Sequence, residues 1–253
     1  MTISRLLRIL AIETKYEFLK LVRLPAYSLP VIIFPLMFYT IFGLAFGGRG
    51  GSSVSTSLIA TIGAFGVIGA SMFGLGVTVA GERGQGWLTV KRASPMPMIT
   101  YFGAKVLMAM IFSAIIVALL FVLGFAFGHV RLAAATWFAL AASLVFGAAP
   151  FCALGLAIGY LAGPNSAPPI VNMVYLPMAF ASGLWMPLAF LPHFIQQIAP
   201  ILPPYHLAQL ALGTVGLSGT AAFTHVLALL AFTVAFLILA SIGYQRDEGR
   251  TYG

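Results

Sequence analysis

Residues able to do chemistry are few in this chain of 253, which holds five Asp or Glu, four His and a single Cys. No acidic pair or activated nucleophile stands inside an apolar run, so hydrolysis within one has no acid–base couple to use. His193 and His206 lie in one segment without a carboxylate or thiol neighbour, and His129 and His225 stand alone. Each reads as a packed or interfacial histidine, and no metal site is expected. Cys152 sits in an apolar run, so neither an intrachain disulfide nor a Cys-based metal site can form. No Gly-x-x-x-x-Gly-Lys-Ser/Thr loop for phosphates occurs, and five carboxylates are few for holding magnesium. What remains is one polar interior stretch, Gly81 to Pro97, GERGQGWLTVKRASPMP, carrying Glu82, Arg83, Lys91 and Arg92. Apolar runs long enough to cross a bilayer flank it, so it must return to water between two spans, where a soluble partner can hold it.

The elements that position this stretch follow from composition. The chain is 61% hydrophobic and 7% charged, against roughly 25% charged in soluble domains. It reads as a polytopic, all-α integral membrane protein. Its net charge of +8 does not point to nucleic acid, because the Lys and Arg residues lie at the ends of apolar runs rather than on one soluble module. The basic and acidic N-terminus lacks a short apolar core with a cleavage site, so the first span is expected to stay in the mature protein.

Ser4 can cap a helix over residues 4–24, whose Leu7, Leu10, Ala11, Phe18, Leu21 and Val22 make an apolar stripe interrupted by Thr14. Arg5, Arg8, Glu13, Lys15, Lys20 and Arg23 take the other side, which predicts an amphipathic helix lying on the membrane and stopped by Pro25. Six spans follow: 26–46, with Pro30 and Pro35 predicting a kink; 57–80, rich in glycine; 99–127; 136–162; 169–190; and 221–244. A Gly/Ser-rich turn with Arg49 joins the first two. Lys105 can snorkel toward the Gly81–Pro97 side, and Gly155, Gly159 and Gly163 form a close-packing stripe in the fourth. Residues 191–219 are too apolar for a plain loop, yet Pro192, Pro200, Pro203 and Pro204 cut them into pieces shorter than a span. A broken re-entrant helical hairpin between the fifth and sixth spans fits best.

Six spans place both termini on one side. Eleven Lys and Arg fall there, against Arg49 and Arg131 opposite, which makes that side cytoplasmic. All five acidic residues lie there too. Phe34, Phe38, Tyr39 and Phe42 on the first span, with Asn172, Tyr175 and Met178 on the fifth, can line a substrate path at a dimer interface; packing is the plainer reading of the aromatics. Asn172 stands out, because an amide in hydrocarbon wants a partner. Charged groups are lacking away from the span ends, which favours apolar or amphipathic cargo over a proton or ion relay.

Two local patterns resemble the ABC-2 type membrane subunits of bacterial ATP-binding cassette exporters, and the likeness extends over nearly the whole chain. In the first, Glu82-Arg83, Gly86, Leu88 and Ser94-Pro95 match an acidic–basic pair followed by Gly-Thr-Leu-Glu and Ser/Thr-Pro, with Trp87 in place of Thr and Thr89 in place of Glu. In the second, Ser182-Gly183, Trp185, Pro187, Leu191-Pro192 and Pro204-Tyr205 match; an Asn before the last Pro and an Arg after the following helix are missing. The resemblance implies that residues 81–97 form a coupling loop docking in a separate nucleotide-binding subunit, with Trp87 and Leu88 as apolar anchor. Glu82, Arg83, Lys91 and Arg92 would make its rim contacts, and Gly86 and Pro95 belong to the matched motif. It further implies an external gate at Trp185, Pro187, Pro192, Pro204 and Tyr205. No cofactor is expected in this chain; ATP and Mg belong to the partner. The expected assembly is two ATPase subunits with a second membrane subunit, most simply a homodimer, in the bacterial inner membrane. The cargo would be a lipid, drug-like or other amphipathic molecule moved outward. Two other classes stand beside this reading: a membrane assembly or anchoring protein without a transport path, and an ion-coupled secondary carrier, for which inverted repeats and midplane charges are wanting.

Overall fold

A computed structural model describes residues 3–46, 52–93 and 96–252, and among these it contains helices and turns but no strand. Helix α1, Ile3–Val22, ends just before Pro25, which opens α2, Pro25–Phe38, at a position where its missing N–H costs nothing. The helix runs through Pro30 and Pro35 and widens one turn later into a π-helical stretch, Tyr39–Phe46. There Gly43 leaves room for the Tyr39 ring, and Ser55 Oγ donates to the Gly43 carbonyl at 2.9 Å, pairing a group inside the irregular stretch. The turn carrying Arg49 lies outside the described residues.

The second span is longer than its 57–80 expectation at both ends. Helix α3, Ser52–Met72, passes through a π-helical turn, Phe73–Val77, into α4, Thr78–Gly84, and this continuous rod is almost wholly buried among the others. It comes close to α8. A Cβ added to Gly155 would lie 3.0 Å from Met72 Cα, and one on Gly159 would lie 3.1 Å from the Gly76 carbonyl oxygen, so the backbones meet where glycine permits it. Gly163 takes no part: a Cβ added there would meet only Ser166 Oγ, at 3.8 Å.

After Gly86, helix α5, Trp87–Ala93, leads toward α6, Met98–Ala126. The fourth span is two helices, α7, Ala134–Phe146, and α8, Ala149–Leu161, interrupted at Gly147 and restarted where Pro150 fits the first turn. The fifth is shorter than the 169–190 expected. Helix α9, Ala167–Ala181, stops in a Schellman motif: Gly183 takes φ +75°, its N–H bonds the Phe180 carbonyl, and Leu184 N–H bonds that of Ala179. Short helices follow: a 3₁₀ turn at Leu188–Phe190, α10 at His193–Ile198, another 3₁₀ turn at Ala199–Ile201, and α11 at Pro203–Thr214. These are the proline-cut pieces expected of the hairpin. Helix α12, Ala222–Tyr252, runs beyond the predicted end at 244.

Among the described residues, five helical rods are long and apolar enough to cross a membrane: Pro25–Leu44, Ser53–Gly84, Met98–Ala126, Ala134–Leu161 and Ala222–Asp247. Helix α9, at 15 residues, reaches about 22 Å at 1.5 Å per residue, less than the ~30 Å hydrocarbon core. Large apolar side chains such as Phe34, Val122, Phe125, Leu230 and Val234 stand on the outer surface, while carboxylates and ammonium groups are buried at one end of the bundle. That inversion of the soluble pattern is an all-helical integral membrane fold.

Candidate functional site

Glu82 and Arg83 do not lie in a loop. They occupy the last turn of α4, and each is held inside the chain. Glu82 is 6% exposed and accepts from Lys105 Nζ at 3.0 Å, from Tyr101 Oη and from Lys20 Nζ. Lys105, fully buried on α6, also donates to Glu17 Oε2 at 3.0 Å and lies 3.3 Å from Thr78 Oγ1. Lys91 of α5 bonds Glu13 and reaches Glu17 at 3.3 Å. Glu13, Glu17 and Lys20 fall on α1 at intervals of four and three residues, so one helical face delivers all three. Three carboxylates and three ammonium groups thus clasp α1, α4, α5 and α6 together with no net charge. The Tyr101 ring lies beneath them, 4.5 Å from Lys91 Nζ and 5.1 Å from Lys105 Nζ. Burial alone lowers the Lys91 pKa; the bond to Glu13 and the Glu17, Glu82 and Glu13 charges outweigh it and raise the pKa above the ordinary lysine value.

Arg83 makes a second tie. Its Nε and one terminal nitrogen donate to Asp247 Oδ1 at 3.0 and 2.8 Å, and the other donates to the carbonyls of Gly159 at 2.7 Å and Ala162 at 3.1 Å. These carbonyls belong to the C-terminal turn of α8, where helix ends lack internal donors and favour a cation. The tie exists because α12 carries Asp247 past the end predicted for the last span.

Glu82 is buried within the chain, and Arg83 spends its donors there as well. Leu88 is also turned inward, buried in the apolar cluster that holds Val79 and Tyr101. On the opposite side of α5, Trp87 is 54% exposed and Val90 more so, an apolar pair three residues apart. Trp87 Nε1 donates to Gln85 Oε1 at 3.1 Å, and Gly86, at φ +76°, turns the chain between α4 and α5. The side chain of Arg92 and residues 94–95, Pro95 included, lie outside the described residues. On α1 the side packed on the bundle runs through Thr14, Glu17 and Leu21, while Leu7 and Val22 of the apolar stripe stand exposed, as the outward apolar side chains of the spans do. The winning term there is charge pairing across helices, which hydropathy along one helix does not register.

The residues expected along a path separate. Phe34 and Asn172 are exposed. Phe38 stacks on Phe42 and on Trp185, with centroids 5.8 and 5.3 Å away, and meets Phe65 edge-on. Tyr175 stacks on Phe65 at 4.9 Å and donates to its carbonyl at 2.7 Å, while Met178 packs on the same core partly buried. Path and gate candidates, Phe38 and Trp185, thus share one aromatic cluster. Of the remaining gate residues, Pro187 and Pro192 are exposed, Pro204 is buried, and Tyr205 lies beside a pair missed in the sequence. His206 and His225 approach Nδ1 to Nδ1 at 3.0 Å, with His206 Nε2 2.9 Å from the Pro200 carbonyl. Burial lowers the His206 pKa, only partly offset by that carbonyl bond.

A many-helix membrane body with a clasped polar segment at one end defines a polytopic membrane protein, and comparison with known proteins narrows this to a family. The family model for the ABC-2 type transporter matches residues 10–216. "Putative transport permease YvfS" of Bacillus subtilis (strain 168) is 30% identical over 184 residues, covering 73% of this chain and 75% of that protein. The chain belongs to the ABC-2 type transporter family. It is a transport permease subunit, a multi-pass membrane component that is not itself catalytic, and membership implies association with an ABC ATPase subunit.

Proposed function

We propose that this permease moves a lipid, drug-like or other amphipathic molecule outward across the bacterial inner membrane, driven by two copies of a separate ATPase subunit that supply the ATP and Mg chemistry. In this reading the membrane part is a dimer, most simply of two identical chains, each with six spans, α9 counted as the fifth, and both termini in the cytoplasm. Helix α1 lies on the membrane, and the pieces from Leu188 to Thr214 form the external hairpin. The Trp87 and Val90 face of α5 docks the ATPase, while Glu82, Leu88 and Lys91 hold that face in place from behind. The observation that carries this is the clasp: Glu17 and Glu82 share the buried Lys105, so a push on α5 reaches α1, α4 and α6 as one unit. Arg83 extends the linkage to α8 and α12. Closure of the ATP-bound subunits would then rock rigid helices rather than flex a loop.

The experiment is purification of the tagged chain from its own host in mild detergent, with cross-linking in intact membranes. A soluble ATPase recovered with the wild-type chain, and lost with Trp87→Ala while membrane insertion persists, is the expected result. Equal recovery with Trp87→Ala would remove Trp87 from the docking face.

A further inference from the structure

The opposite end of the α3–α4 rod holds a cavity that the clasp and the docking face do not use. From Ser57 to Glu82 along that rod is roughly 35 Å, so the cavity is remote from the polar segment. Its volume is about 390 Å³, within the range of small-molecule sites. Ser57 and Thr61 line it from α3, Ser182 and Pro187 from the turn that ends α9, and Gln209 from α11.

Two features give it chemical character. First, Ser182 is 2% exposed, and its Oγ is buried without a hydrogen-bond partner among the described residues. Buried hydroxyls are paired in the great majority of cases, so an unpaired one on a cavity wall marks a place for a ligand atom. The Schellman turn at Gly183 fixes this serine against the cavity, since Ser182 is the helix cap and its backbone N–H bonds the Met178 carbonyl. Second, the lining carries hydroxyls, an amide and apolar side chains but no charged group among the described residues. Gln209 Oε1 accepts from Ser218 Oγ at 2.8 Å, which leaves the amide NH₂ as its donor. A phosphate or ammonium headgroup would enter without a counter-charge and lose its hydration. A neutral hydroxylated group gains Ser182, Thr61 and Gln209 as partners, and Leu58 and Leu212 receive the apolar body joined to it.

We infer that this cavity binds the uncharged, hydroxyl-bearing headgroup of an amphipathic molecule, of which an alkyl glycoside is the simplest form. The inference rests on the amphipath-transport reading and names the substrate class within it. The probe is radiolabelled octyl β-glucoside, titrated below its micelle concentration onto the full chain in phosphatidylcholine nanodiscs, with empty discs subtracted. Saturable binding is expected, displaced by unlabelled octyl β-glucoside and not by octyltrimethylammonium. Ser182→Ala deletes an unpaired buried hydroxyl, so the fold is kept while binding weakens roughly five- to tenfold, the scale of one hydrogen bond. Leu217→Trp, at the cavity wall, blocks the site by volume and serves as the second variant. No saturable component, equal displacement by the cation, or unchanged binding in Ser182→Ala would overturn the inference. The assay contains no ATPase, so the two readings fail separately. Binding without ATP-driven transport would leave the cavity assigned and sink the transport reading, and transport without binding would do the reverse.

Discussion

Replacing Lys105 by methionine keeps the length of the side chain and removes the buried ammonium that Glu17 and Glu82 share. Breaking a buried ion pair from one side costs about 3–5 kcal/mol, because the carboxylate left behind has neither water nor partner. Here both carboxylates retain something: Glu82 keeps Tyr101 and Lys20, and Glu17 keeps Lys91 at 3.3 Å and Lys20 at 3.8 Å. The expected loss therefore falls at the lower end, about 3 kcal/mol, or roughly two decades in the equilibrium that docks α1 on α6. Lys20 provides the comparison. Its side chain is nearly half exposed, so Lys20→Met should cost no more than ~1 kcal/mol. Hydrogen exchange in nanodiscs reads both, since opening of α1 appears as faster exchange of its amides. A Lys105→Met, Glu17→Leu double variant should recover part of the loss by giving the methionine an apolar neighbour and removing one orphaned charge. Equal, small effects of Lys105→Met and Lys20→Met would refute the reasoning that the shared lysine fastens the clasp.

Other outcomes follow from the same geometry. Gly155→Ala should destabilise the chain by about 1–3 kcal/mol through overpacking against Met72, while Gly163→Ala, with nothing nearer than 3.8 Å, should be near neutral in the same thermal unfolding series. Arg83→Gln should cost about 2 kcal/mol through lost charged hydrogen bonds and speed exchange at the C-terminal turns of α8 and α12 together; protection unchanged in α12 would deny the Asp247 tie. For His206 the folded pKa is lowered from the ordinary 6.5, so the unfolded chain binds more protons and stability falls as pH drops below about 6.5. Tyr205 of its own helix and His225 of α12 are the titratable side chains facing it, with the Phe232 ring of α12 alongside. Thermal stability of wild type should decline between pH 7 and 5.5, and His206→Gln should flatten that decline.

Much of the body was legible in the residues. Long apolar runs located the main rods, the prolines from Pro192 to Pro204 located the breaks before α12, and the spacing of Gly155 and Gly159 marked a close helix contact. What hydropathy hid were pairings distant along the chain. Glu17 meets Lys105 and Arg83 meets Asp247, and no periodicity within one helix announces a partner on another. The same blindness left Glu17 off the side of α1 that packs on the bundle. Irregular turns were hidden for a different reason: Gly183 looks like one more small residue in an apolar run until its positive φ ends α9, and a π-helical stretch carries no residue signature of its own. Leu88 and Trp87 were adjacent and both apolar, so only the helix geometry of α5 separates the one that faces inward from the one that faces out.

The account turns on whether the exposed side of α5 is where the ATPase docks, and a titration measures that directly. The separately purified ATPase subunit is added to the full chain in nanodiscs, and ATP turnover is followed against nanodisc concentration for wild type and Trp87→Ala. A central aromatic anchor is worth about 2 kcal/mol, which predicts a roughly thirtyfold rise in the half-saturating concentration for Trp87→Ala. A half-saturation point unmoved by Trp87→Ala would contradict the docking face and, with it, the route by which the clasp receives its push.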